Sequence, residues 1–240
     1  MYPAFVLIAM WLSYWGDFLF PGIKFYQYGV IPGEVSTLPG VLLMPFIHDH
    51  SGYEHIVNNS IPTAILLGTL IFYYRDIAGR VILFSWVLTG LGLWVFAANN
   101  NAYHIGMSGV IYALAGFLFT SGVLRKYRPL QAISLFVVFV YGSMIWGIFP
   151  MDTKVSWEGH LAGLVTGVVL AVIFRKRGPK PPKYLYEIEK EMGIEPPDFE
   201  GQWRALQQAE EERKKEIERA KQGFTIVYHY KPKMKDDNDQ

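Results

Sequence analysis

The uneven distribution of charge constrains this chain more than any other feature. Of its 22 Lys and Arg and 21 Asp and Glu, 15 and 14 lie after Phe174, so the first 174 residues carry only seven charges of each sign. A soluble domain of that size cannot cover its surface with so few ionic groups, and the body is predicted to lie in a bilayer. Spanning about 30 Å of hydrocarbon takes roughly 20 apolar residues. Six such runs can be read, near residues 3–20, 53–74, 80–98, 105–124, 130–149 and 158–174. The expected fold class is an all-α membrane protein, with a six-transmembrane-helix domain over residues 1–174 and a charged, partly helical tail over 175–240. With no cysteine in the chain, disulfides, thiolate catalysis and zinc–cysteine sites drop out of consideration.

Basic residues set the orientation. The connections at Arg75 to Arg80 and Arg125 to Arg128, and the Arg175-Lys176-Arg177 run, are basic, whereas the alternate connections hold only Lys24 and Lys154. Both termini are therefore expected on the cytoplasmic side. The first run lacks the basic start and small-residue cleavage site of a signal peptide and reads as a retained helix; Asp17 within it needs a partner or the interface. Residues 21–52 form a long external connection whose aromatic, Gly and Pro content predicts an ordered element lying in the interface. In the tail, Lys180-Pro181-Pro182-Lys183 reads as a linker and residues 202–222 as a solvated helix laced by i,i+4 charge pairs. Phe224 to Tyr230 is a candidate short strand.

With this orientation the second, fourth and sixth runs all point inward, so their first turns share one depth in the outer leaflet. The second opens with Glu54, His55 and Asn59, the fourth with His104 and Ser108, the sixth with Glu158, Gly159 and His160. Ionisable and hydrogen-bonding side chains are costly in membrane helices and mark functional sites. Ser108 sits in Gly106-Met107-Ser108-Gly109, after the polar loop of Asn99, Asn100, Asn101 and His104; flanking glycines let a carbonyl approach a serine Oγ and its neighbouring N–H groups. His55 and Asn59, four apart, project from one helix face and suit two donors to an oxyanion. His160 is left as general base for Ser108. Gly163 and Gly167 on one helix, with Gly109, Ala113 and Gly116 on the other, allow a close approach. Tyr112, one turn below Ser108, is placed to pack against the imidazole.

Competing roles remain for neighbouring residues. His104 is a rival base in the loop above the serine, and Asn58 points about 100° away from the His55 face. His48 and His50, with Asp49 between them and His55 and His104 nearby, raise a metal reading that lacks zinc-protease spacing. Glu54 and Glu158 are expected in salt bridges or at the interface.

The body resembles the rhomboid family of intramembrane serine proteases. The matching pieces are Pro45-Phe46-Ile47-His48, His55-Ile56-Val57-Asn58-Asn59, Gly106-Met107-Ser108-Gly109 with Tyr112, and Gly159-His160-Leu161-Ala162-Gly163. The resemblance covers roughly residues 1–174. It implies a six-helix rhomboid-like bundle, a Ser108/His160 dyad, and an oxyanion hole from His55, Asn59 and the Ser108 N–H. It further implies cleavage of other proteins' transmembrane segments near the outer face, with lateral access between the second and fifth helices, and a multi-pass protein of a bacterial inner membrane. No cofactor, metal or nucleic-acid partner is expected. The Trp-Arg pair that some members carry in the first external loop is replaced by Tyr28-Gly29-Val30-Ile31-Pro32-Gly33, and the tail has no counterpart. A silent rhomboid-like protein that binds membrane segments, or a six-helix transporter, is the alternative.

Overall fold

The computed structural model describes residues 2–49, 52–98, 101–140, 146–150, 156–180, 183–194, 197–223 and 227–231. Apolar helices occupy Tyr2–Leu19 (α1), Glu54–Tyr73 (α2), Ala78–Phe96 (α3), Ser108–Leu124 (α4), Arg128–Val140 (α5) and Trp157–Ile173 (α6). Two of them, α2 and α3, have the length and hydropathy to cross a membrane, and the others are shorter apolar helices. Among the described residues there is no strand, and the one isolated bridge pairs Val30 with His104. The chain divides into two units, residues 1–182 and 183–240.

The helix limits follow local chemistry. The fourth apolar run becomes helical only at Ser108, because Gly106 adopts φ +107°, a left-handed conformation that suits glycine and interrupts a helix. The fifth run stops short of residue 149: Phe149 N–H donates to the Trp146 carbonyl in a turn, where Gly147 and Pro150 favour reversal. Ser156 caps α6 by accepting the Gly159 N–H at 3.3 Å, satisfying a first-turn donor. Asp17, at the end of α1, accepts the Phe25 N–H at 3.2 Å.

At the centre lies α4, whose residues from Gly109 to Leu118 are all buried. Its apolar side chains join Leu66, Leu67 and Leu70 of α2 and Leu170 of α6 in the main core. The outward faces are apolar as well: Phe72 is 79% exposed and Phe96 83%. Apolar surface of this extent has hydrocarbon, not water, as its natural solvent.

Between α4 and α6 the backbones touch. A β-carbon on Gly163 would collide with the Gly109 carbonyl oxygen, and one on Gly167 with the Ala113 carbonyl oxygen. Residues 25–46 wind through short helical turns fastened to α3, with the Trp86 indole donating to the Val41 carbonyl at 2.9 Å and the Trp94 indole to the Glu34 carbonyl at 3.0 Å. A backbone bond from Gly33 N–H to the Trp94 carbonyl adds to these at 2.9 Å.

In the second unit, α7 (Leu185–Glu191) and α8 (Phe199–Gln222) are solvated helices. Asp198 caps α8 by accepting the Gly201 N–H at 2.7 Å, and Glu200–Arg204 and Glu210–Lys214 form i,i+4 pairs. Residues 227–231 carry no strand; 224–226, together with His50, Asn99, Asn100 and most of the 150–157 connection, lie outside the described residues.

Gly163→Val forces α4 and α6 apart and is expected to cost roughly 1–3 kcal/mol or more, the usual penalty of overpacking. Gly68→Ala, at a position with open space around it, should stay within about 0.5 kcal/mol. Thermal unfolding midpoints in detergent distinguish the two.

Candidate active site

Three backbone features converge on Ser108. The Gly106 turn is held by its N–H donating to the Met44 carbonyl at 2.8 Å. The next N–H, of Met107, donates to His48 Nε2 at 3.4 Å. Ser108 then opens α4, where first-turn N–H groups have no intrahelical acceptor and the helix dipole is positive.

Facing it, His160 sits one turn into α6 and is 9% exposed. Its Nε2 lies 2.8 Å from Ser108 Oγ, and its Nδ1 lies 2.9 Å from the Gly147 carbonyl oxygen. A carbonyl only accepts, so Nδ1 carries the proton and the Nε2 lone pair faces the serine hydroxyl. That is the tautomer a general base needs. The Tyr112 ring stacks on the imidazole, with centroids 4.3 Å apart and planes 18° apart, which restricts ring rotation.

On α2, His55 points Nε2 at the Gly106 turn, 3.1 Å from where a β-carbon of that glycine would lie. Asn59, buried one turn below, donates to the His55 carbonyl at 2.8 Å, leaving its second N–H for another acceptor. Neither lines the small cavity beside the serine, whose walls include Thr89, His104, Gly106, Ser108, Ser156 and His160. His104 is not in contact with Ser108 in the hydrogen bonds described: its Nδ1 bonds Ser156 Oγ at 2.7 Å, and burial lowers its pKa against the opposing pull of Glu158.

Two contributions had no clear signal in the sequence, and a third residue, His48, takes a role other than the metal reading considered for it. The Gly147 carbonyl orients His160, but any residue supplies a carbonyl. Ser156 both caps α6 and anchors His104; only its capping position is legible. His48 is held between the Phe46 carbonyl at 3.2 Å and the Met107 N–H, which fixes it as the neutral Nδ1–H tautomer and makes it a support for the serine turn. Its ring also meets that of His55 edge-on at 5.0 Å. Among the described residues no group of three metal-ligating side chains forms a metal site.

Burial, with repulsion from His55, pushes the His48 imidazole down from 6.5 to about 3. Between those values the unfolded chain binds a proton that the folded chain refuses, so stability falls as pH drops through that window. His48→Gln keeps one acceptor and one donor without titrating. It is expected to show a shallower loss of unfolding midpoint between pH 6.5 and pH 4 than the wild type; equal slopes would remove His48 from this role.

The Rhomboid domain family model matches residues 38–177, a stretch holding every side chain of the site. An uncharacterized protein of Mycobacterium tuberculosis is 34% identical over 154 residues, covering 60% of this chain and 62% of its own length. One from Mycobacterium leprae is 31% identical over 152 residues, covering 58% and 57%. The rhomboid protease GlpG of Serratia proteamaculans is 28% identical over 95 residues, covering 39% and 34%. The chain thus matches less than two thirds of the length of each of these relatives. With the family model covering more than half of its residues, the chain belongs to the rhomboid family and is an α-helical integral membrane protein.

Proposed function

We propose that the chain is an intramembrane serine endopeptidase that cuts transmembrane segments of other membrane proteins near the outer face. The observation that carries this reading is the 2.8 Å contact between Ser108 Oγ and His160 Nε2, in the tautomer that makes the histidine an acceptor. Ser108 Oγ attacks the scissile carbonyl carbon while His160 Nε2 takes its proton. The imidazolium so formed keeps its Nδ1–H on the Gly147 carbonyl. The Ser108 N–H, His55 and Asn59 donate to the tetrahedral oxyanion. His160 then returns the proton to the leaving amine, and water repeats the sequence on the acyl-enzyme. This chemistry needs no cofactor.

In this reading residues 1–174 form the six-span protease domain, residues 175–240 are a cytoplasmic tail, and both termini face the cytoplasm of a bacterial cell. Helix α4, with 17 residues, rises about 25 Å, less than the roughly 30 Å hydrocarbon layer. That shortfall favours a Ser108 set beneath the outer surface, reached by water from outside and by substrate laterally between α2 and α5. Substrates whose helices unwind readily at small or helix-breaking residues are favoured.

A fluorophosphonate probe is expected to label detergent-solubilised wild type but neither Ser108→Ala nor His160→Ala, and proteolysis by either variant should fall at least about 10³-fold. Labelling that survives Ser108→Ala would remove the nucleophile from this reading. Tyr112→Phe keeps the stacked ring and should retain most of kcat. Tyr112→Ala loses a contact worth ~1 kcal/mol and is expected to lower kcat about five- to tenfold at unchanged KM; an equal effect of both variants would refute the stacking role.

A further inference from the structure

Helix α8 carries an exposed apolar seam. Phe199, Trp203 and Leu206 are 62–70% exposed and Ile217 44%. Their positions, with Glu210, Arg213 and Ala220, alternate by four and three residues over the whole of the 24-residue helix, which is the heptad spacing of a coiled-coil seam.

We propose that α8 pairs antiparallel with α8 of a second copy of this chain. The choice of partner comes from the charges inside the seam. In parallel pairing each layer meets its own kind, so Glu210 faces Glu210 and Arg213 faces Arg213, and like charges across a packed seam are costly. In antiparallel pairing one register resolves every layer. Trp203 of one copy meets Ala220 of the other, a large residue against a small one; Leu206 meets Ile217; and Glu210 meets Arg213, each layer occurring twice by symmetry. The same register brings Glu200 and Lys221 together at the flank, and it overlaps the two helices over almost their full length.

A bilayer surface fits the helix less well. Glu210 and Arg213 interrupt the apolar stripe at its middle, and the helix carries six acidic and six basic residues, so it has no net attraction to anionic lipid. Pairing also supplies what an isolated helix lacks, since tertiary burial of one face is the usual source of helix stability.

The cysteine-free chain permits a direct test with the full protein in native membranes. Two differently tagged copies are co-expressed, one with Leu206→Cys and the other with Ile217→Cys, and oxidised. A disulfide between the two tags is expected, with little between two Leu206→Cys copies. Adding Glu210→Arg to both copies places four like charges in the seam and should lower the mixed disulfide about tenfold. Adding Glu210→Arg with Arg213→Glu preserves helix propensity and should restore it. Crosslinking that is dominated by Leu206→Cys with itself, that is absent, or that ignores the charge reversal would overturn the proposal.

Discussion

The bundle depends on one close contact, the packing of the α6 backbone directly on that of α4. Gly163 and Gly167 present no β-carbon to the carbonyls of Gly109 and Ala113. Only at that separation can an imidazole rooted on α6 bring Nε2 within hydrogen-bonding distance of a hydroxyl on α4. The contact also explains why α4 is so thoroughly buried: α2, α3, α5 and α6 all pack against it. In hydrocarbon no hydrophobic force drives helices together, so van der Waals contact between small residues has to hold them. The residues that hold the bundle and those that shape the site therefore belong to the same helix pair.

Among the described residues His160 is oriented without a carboxylate. The Gly147 carbonyl and the Tyr112 ring do this work, and both are neutral. A buried carboxylate would carry a desolvation cost of several kcal/mol, recovered only with full hydrogen bonding, and that cost is harder to offset at membrane depth. A carbonyl selects the Nδ1–H tautomer equally well, although it stabilises an imidazolium less than an anion would. The same economy recurs at His48, whose neutral ring bridges a carbonyl and an amide.

Much of this architecture was legible before any coordinates. Charge segregation marked an apolar body, and five of the six apolar runs fall within three residues of described helices, because both signals are sums over many side chains. The errors fell where a single backbone conformation decides. The left-handed Gly106 delays α4 to Ser108, and the turn at Gly147 stops the fifth run early. At the site, the polar residues His55, Ser108 and His160 in the first turns of their helices were readable from spacing. The Gly147 carbonyl was not, because it leaves no mark in a side-chain code, nor was the His104–Ser156 bond, which joins residues 52 apart.

That last bond ties the loop of residues 25–46 to the candidate site, because His104 also pairs with Val30. His104 pairs its backbone with Val30 in both directions, at 3.0 and 2.7 Å, while its ring holds Ser156, which caps the helix bearing His160. Residues 25–46 are in turn fastened to α3 through two tryptophan indoles and the Gly33 amide. Moving this loop as a lid would break several hydrogen bonds, each costly when a buried partner is left unpaired, and would pull on the α6 cap at the same time. The loop is therefore better suited to be a fixed wall of the site than its gate.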